Sequence, residues 1–379
     1  MISSITTHPV KPNILPISVH YSALGMIFYL PIIFLLLKIQ AVIMAQEQPQ
    51  DHHHLLERIQ HVTKRIELIK PSTRTFFRES KKLGRYGLAE WLHGYVYGRW
   101  IYDYIGIGTG EHFLVKTLRP IGNLILWCFK KVIGSGSQQT GFSFADSYHG
   151  KVVTLENARC LVTVNQPIFL PNLEKVVPYS RARDIILQNP DHIAVMDCPC
   201  RSVRENPCLP LDVCIIVGEP FTSFVIEHHP GKARPITQDE AMAIIEAENR
   251  RGHVAHAFFK DAMLDRFYAI CNCCSCCCGA MQAHRNGTPM LASSGYVCSC
   301  DHQRCVSCGT CVDFCQFAAL DFDSLLEVDA ESCMGCGVCV NSCPAEALAL
   351  VRDVTRGEPL EIHQLMSGAQ HQRAGITEH

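Results

Sequence analysis

The sequence predicts an α+β protein: an N-terminal helical region, a cysteine-rich α/β domain, and a small C-terminal domain built on a duplicated cysteine motif. Three observations lead there. Apolar residues recur with helical period between positions 52 and 70. From residue 151 short apolar strands alternate with helical segments. Two cysteine runs of identical spacing, starting at Cys305 and Cys333, follow one another near the C-terminus.

Composition narrows the function classes. Of 379 residues 47% are apolar, ample for buried cores, and 34 Lys plus Arg against 36 Asp plus Glu give no electrostatic case for nucleic acid as a partner. Of 22 cysteines, 21 lie after position 150. A disulfide scaffold belongs to short secreted domains, and this chain is too long to need one. Many cysteines stand two or three residues apart, a spacing that suits shared metal centres. The expected setting is a reducing cytoplasm, with thiolates committed to metal.

Residues 12–37 contain no Asp, Glu, Lys or Arg, and Ala23–Leu37 is nearly all apolar, with Pro31 in its middle. Three readings fit residues 1–44: a membrane anchor at residues 22–44, an export signal lacking the twin-arginine pattern, or a true start at Met44. As an anchor, it would hold the chain on the inner face of the cytoplasmic membrane. Residues 51–85 carry nine Lys or Arg, whereas residues 1–20 carry Lys11 alone.

Residues 45–150 read as a helical, aromatic-rich region and linker. Leu55, Ile59, Val62, Ile66 and Ile69 form an apolar stripe that Pro71 ends. Tyr86, Trp91, Tyr95, Tyr97, Trp100, Tyr102 and Tyr104 are expected to be core, since such rings bury large areas. A membrane-interface belt is the alternative. Gly, Ser, Gln and Thr at 134–141 mark a linker.

Residues 151–290 form the cysteine-rich domain. Expected strands are Val152–Leu155, Cys160–Val164, Ile193–Asp197, Val213–Gly218, Ser223–Ile226 and Val254–Phe259, with a short helix at Ser180–Leu187. Thr237-Gln-Asp-Glu240 is a capping box opening a helix through Asn249, with Gly252 just past its end.

Residues 291–352 carry the strongest signal. Cys305-Val-Ser-Cys308-Gly-Thr-Cys311-Val-Asp-Phe-Cys315 returns as Cys333-Met-Gly-Cys336-Gly-Val-Cys339-Val-Asn-Ser-Cys343, and the match runs on to Ala319-Leu320 and Ala347-Leu348. Each half reads C-x2-C-x2-C-x3-C, a spacing that holds [4Fe–4S] clusters. Three cysteines on one tight loop face one cube, and the fourth, expected at the start of a helix, reaches the opposite cube. On that pattern Cys305, Cys308, Cys311 and Cys343 hold one cluster, and Cys333, Cys336, Cys339 and Cys315 the other. Gly309 and Gly337 relieve crowding where backbone wraps the core. Paired zinc sites are the alternative, but zinc prefers separated knuckles. The motifs resemble the bacterial-type two-[4Fe–4S] ferredoxin family over residues 298–352, with one departure: Gln316 stands where that family usually has Pro.

Upstream, Cys198, Cys200, Cys208 and Cys214 lie within seventeen residues, a candidate quartet for a further cluster, with zinc as the alternative. Arg201 and Arg204 would offset its negative charge. Cys271, Cys273, Cys274, Cys276, Cys277 and Cys278 crowd into eight residues, too many for one cube, and Cys298 and Cys300 are candidates to complete a set with alternate members. Cys277-Cys278-Gly279 resembles the Cys-Cys-Gly element of heterodisulfide-reductase-type subunits. Cys198–Arg201 and Ile270–Cys274 resemble elements of multi-cluster ferredoxin-type proteins of uncertain role, which implies electron transfer without naming a substrate.

No nucleotide-binding fingerprint is present. The expected function is an electron-transfer relay subunit with two [4Fe–4S] clusters, one or two additional iron–sulfur clusters upstream, and a redox partner protein. The alternatives are a multi-cluster reductase with its catalytic centre at Cys271–Cys278, and a metal or redox sensor. Residues 353–379 are expected to be a polar, disordered tail.

Overall fold

A seven-stranded sheet organises the chain. The computed structural model describes residues 69–84, 87–117 and 147–376, all within one compact unit. Among the described residues three helices come first: α1 (Pro71–Lys82), α2 (Leu88–Arg99) and α3 (Ile101–Gly108). Then follow β1 (Tyr148–Val152), α4 (Leu155–Val162), β2 (Ile168–Leu170), β3 (Ile185–Leu187), β4 (Ile193–Asp197), α5 (Pro199–Ser202), β5 (Asp212–Val217), α6 (Phe221–His228), β6 (Ala233–Ile236), α7 (Gln238–Arg250), β7 (Val254–Lys260), β8 (Arg266–Cys273), α8 (Gly279–Arg285) and β9 (Leu291–Ala292). The strands run in the order β6-β4-β5-β8-β7-β1-β9, antiparallel except for the β1–β9 pair.

Both faces of the sheet are covered, which is why its strands are apolar nearly throughout. On one face Ile215, Val217, Ala257 and Ile270 pack with Ala158 and Leu161 of α4 and with Ala241 and Ile245 of α7. Side chains alternate along a strand, so Cys214 and Ile216 of β5 and Cys271 of β8 point to the other face. The N-terminal helices cover that face. Phe76 packs edge-on against Phe224, 5.5 Å between centroids, and the Tyr97 and Tyr268 hydroxyls are 2.7 Å apart. Trp91 and Tyr97 are each 2% exposed and lie in the core, while Tyr95, Trp100, Tyr102 and Tyr104 are half-buried. Burying each such ring contributes on the order of 2–3 kcal/mol.

Several local expectations give way to stronger signals. Cys160–Val162 lies in α4 rather than a strand, because the Thr154 hydroxyl accepts from the Asn157 N–H and caps a helix there. Ser180–Leu187 is not a helix: Ala182 takes φ +50° and Ile185–Leu187 pairs with β2. Ser223–Ile226 falls inside α6, which starts directly after Pro220. The Thr237 cap on the Glu240 N–H forms as expected, and α7 follows it.

The C-terminal module comprises β10 (Tyr296–Cys300), α9 (Thr310–Phe314), β11 (Leu320–Phe322), β12 (Leu326–Val328), α10 (Val338–Ser342) and β13 (Leu348–Arg352). β10 pairs with β13 and β11 with β12, both antiparallel. The tail is ordered as helix α11 (Ile362–Ile376), because Leu360 and Ile362, each 1% exposed, anchor its start in the main core. Among the described residues no helix is long and apolar enough to cross a membrane. The expected anchor at residues 22–44, the 52–68 stripe, Tyr86 and the 134–141 linker lie outside the described residues.

Candidate metal centres

The two repeats fold alike. Gly309 and Gly337 take left-handed φ values of 75° and 76° and open α9 and α10. Each short helix carries the third cysteine of its run, Cys311 or Cys339, and the fourth, Cys315 or Cys343, follows the helix end. The expectation that the fourth cysteine sits at a helix start is thus reversed. Three residues of helix separate it from the third, which is what turns it away from its own loop. Equivalent backbone donors then reach it: Ala319 N–H to Cys315 Sγ and Ala347 N–H to Cys343 Sγ, both at 3.3 Å.

Two recesses result, one at each repeat. One is lined by Cys305, Cys308, Cys311 and Cys343. The other is lined by Cys333, Cys336, Cys339 and Cys315, together with Cys298. Three thiols of one repeat thus meet the fourth thiol of the other around each recess. Phe322, Leu326 and Leu348 wall the first, and Phe317, Leu320 and Leu350 the second. Burial raises the Cys311 thiol to about 11. Four soft donors around an apolar-walled recess fit an iron–sulfur cluster and not a hard cation.

Cys298 and Cys300 belong to this module rather than to the Cys271–Cys278 group. β10 pairs Cys298 with Leu350 and Cys300 with Leu348. That register sets the Cys298 thiol 3.6 Å from Cys339 Sγ and its N–H 3.4 Å from Cys333 Sγ. Cys300 lies beside Cys305 and Cys343. The signal for this was available in the sequence: cysteines at i and i+2 share one face of a strand.

Upstream, the structure redistributes the expected sets. Cys198, Cys200 and Cys214 come together, but Cys208 does not join them. Instead Cys198, Cys200, Cys278, Cys273, Cys271 and Cys214 neighbour one another in turn, and the thiols of the last two are 3.5 Å apart. The reason is topological. β4 delivers Cys198 and Cys200 at its end, and Cys214 faces Cys271 directly across the β5–β8 ladder. Cys208 sits on the loop between α5 and β5 and meets Cys274, Cys276 and Cys277, all four thiols lying within 4.8 Å of one another. The six cysteines of the 271–278 run are therefore divided three and three between two groups.

Donation to a neighbouring thiol, and then burial, push Cys198, Cys271 and Cys273 well above the ordinary thiol value. Left alone, such groups stay protonated. Coordination reverses that balance, since a bound soft metal deprotonates a thiol outright. Helix α3 roofs the site: the Tyr102 hydroxyl donates to the Asp197 carbonyl at 3.0 Å. Sequence reasoning overlooked Arg201 as a structural staple. Its NH2 group donates to the carbonyl of Asn272, between Cys271 and Cys273, at 3.0 Å, and so fastens the Cys198–Cys200 turn to β8.

Residues 326–349 match the 4Fe-4S binding domain family. No curated protein and no solved structure matches the chain. The match spans Cys333, Cys336, Cys339 and Cys343, so the chain carries a ferredoxin-like iron–sulfur module with at least one [4Fe–4S] cluster, on an α+β fold.

Proposed function

We propose that this chain is an electron relay in which the C-terminal module carries two [4Fe–4S] clusters, the buried six-thiol set holds a further iron–sulfur centre, and a redox partner protein exchanges electrons with the module. A [4Fe–4S] cluster supplies a one-electron couple. The chain's own residues hold it, keep water from it and tune it. The observation that carries this reading is the pair of recesses, each completed by a cysteine from the other repeat. Cys308 is exposed and Val306 beside it is 65% exposed, which offers a partner an approach to the first recess. At the second recess, Cys315 is followed by Gln316, whose side-chain oxygen accepts the Ser275 N–H at 2.8 Å, between Cys274 and Cys276.

The reductase alternative needs a substrate entry to the Cys271–Cys278 segment. Of those six cysteines only Cys276 is exposed, which favours the relay. The test is iron and acid-labile sulfide per chain in protein purified without oxygen, with low-temperature EPR of the reduced form. The relay reading expects more than about eight irons, with two [4Fe–4S] signals that interact magnetically. A colourless, zinc-rich protein would overturn it.

A further inference from the structure

The thiols of Cys208, Cys274, Cys276 and Cys277 are packed more tightly than an iron–sulfur cube requires. All four lie within 4.8 Å of one another, with Cys208 Sγ 3.1 Å from Cys276 Sγ and Cys276 Sγ 3.5 Å from Cys277 Sγ. One ion bound tetrahedrally by four thiolates at about 2.3 Å sets its sulfurs about 3.8 Å apart. In a cube each thiolate binds a different iron at a different corner, so the sulfurs stand farther apart. The module's quartets differ: among the described residues, Cys208, Cys274, Cys276 and Cys277 are the one group of three or more such ligand atoms gathered within 4.8 Å.

We infer that Cys208, Cys274, Cys276 and Cys277 bind one mononuclear soft divalent ion, zinc or ferrous iron, separate from every iron–sulfur cluster. The loop is built to hold it. Each carbonyl of residues 275, 276 and 277 is taken by a side chain. Arg285 donates to the Ser275 carbonyl at 2.6 Å, Gln282 to that of Cys276 at 2.8 Å, and Arg204 to that of Cys277 at 3.0 Å. Arg204 is itself anchored by Glu111 at 2.5 Å and Gln282 at 2.8 Å. Four thiolates around a divalent ion leave two negative charges, and Arg204 and Arg285 bring two positive ones to the same loop. Such outer contacts orient ligands before the metal arrives. Four thiolates in tetrahedral array select a soft ion over calcium or magnesium. Gln316 rests on Ser275 of this loop, so the ion would also stiffen the seat of the C-terminal module.

The test uses the full chain, purified without oxygen, and counts zinc, iron and acid-labile sulfide per chain. The parent should hold one metal ion in excess of its sulfide. The double variant Cys208→Ser/Cys276→Ser should lose that one ion with sulfide unchanged, while the EPR signals of the reduced clusters persist. Cys276→His, which keeps a ligand for zinc, should retain the ion if it is zinc; a ferrous ion would appear instead as the sulfide-free iron of the parent. Loss of iron and sulfide together in equal number from the double variant would overturn the inference, as would loss of no metal. Should the double variant fail to fold, X-ray absorption of the parent decides: four sulfurs at about 2.3 Å with no neighbouring metal support the site, and a zinc-free protein with iron equal to sulfide refutes it. Failure of the relay reading would show separately, as absent cluster EPR with this ion still in place.

Discussion

Arg201 and Glu248 form an ion pair at 2.6 Å with side chains 1% and 0% exposed. The same guanidinium donates to Pro210 O at 2.6 Å and lies 3.1 Å from His253 Nδ1, while Glu248 also meets Arg251 at 2.9 Å. Burial alone would raise the Glu248 carboxyl, but hydrogen bonds from His253 and Arg201 outweigh it and hold the group below its usual value. The pair ties the turn bearing Cys198 and Cys200 to helix α7 and, through Asn272, to β8.

Breaking one side of a buried pair leaves the other charge without compensation. Glu248→Gln should therefore destabilise the chain by about 3 kcal/mol. Arg201→Met should also lower iron content upstream, because it releases the turn from β8. Anaerobic denaturation with iron counting checks both; an unchanged midpoint for Glu248→Gln would show the pair to be idle.

How much of this was legible beforehand depended on the range of the cause. The repeat at Cys305–Cys343 is a local spacing, and the recesses assemble from it. The capping box at Thr237 is local too, and α7 forms on it. Partners joined only by tertiary topology were not legible. Nothing in the sequence order says that Cys208 leaves its neighbours Cys200 and Cys214 for Cys276, because that depends on which way the loop before β5 turns. The C-terminal helix, by contrast, was legible and missed: Ile362, Leu365, Met366 and Ala369 recur at i, i+3, i+4 and i+7, and with Leu360 they pack on the main core.

Gln316 departs from the ferredoxin pattern and makes a contact that proline could not. Gln316→Pro should remove the acceptor of the Ser275 N–H at no cost in cysteines. The expected loss is about 1 kcal/mol, with iron and sulfide per chain unchanged. Anaerobic denaturation combined with metal counting checks this; loss of a cluster would mean that the side chain supports Cys315 itself.

Lys151 should make stability depend on pH. It is 1% exposed, and its Nζ donates to the Glu358 carbonyl at 2.8 Å. Burial, aided by Arg352, lowers its pKa from 10.5 to about 7. Between those values the unfolded chain binds more protons than the folded one, so stability rises with pH across the window. Below about pH 7 the amine is charged in both states and the penalty is complete. The slope approaches about 1.4 kcal/mol per pH unit. Denaturation midpoints at pH 7, 8 and 9 should climb in the parent relative to Lys151→Met. Parallel midpoints in the two proteins would show that Lys151 keeps its ordinary pKa.

Cys298 tests whether a fifth cysteine beside the second recess is a ligand or a tuner. Its thiol lies 3.6 Å from Cys339 Sγ, and that contact is the first cause lowering the Cys339 pKa, against burial. Once Cys339 binds metal as a thiolate, the Cys298 S–H is the donor across this contact; it stabilises negative charge on the ligand sulfur, and so favours the reduced form of a bound cluster. Cys298→Ala should leave iron per chain unchanged and shift one potential to a more negative value. Cys339→Ser, by contrast, removes a member of the quartet and should cost about four irons. Redox titration followed by EPR, with iron counted on the same samples, separates the two roles. Loss of iron from Cys298→Ala would make Cys298 the ligand and require one of Cys315, Cys333, Cys336 and Cys339 to stand outside the cluster.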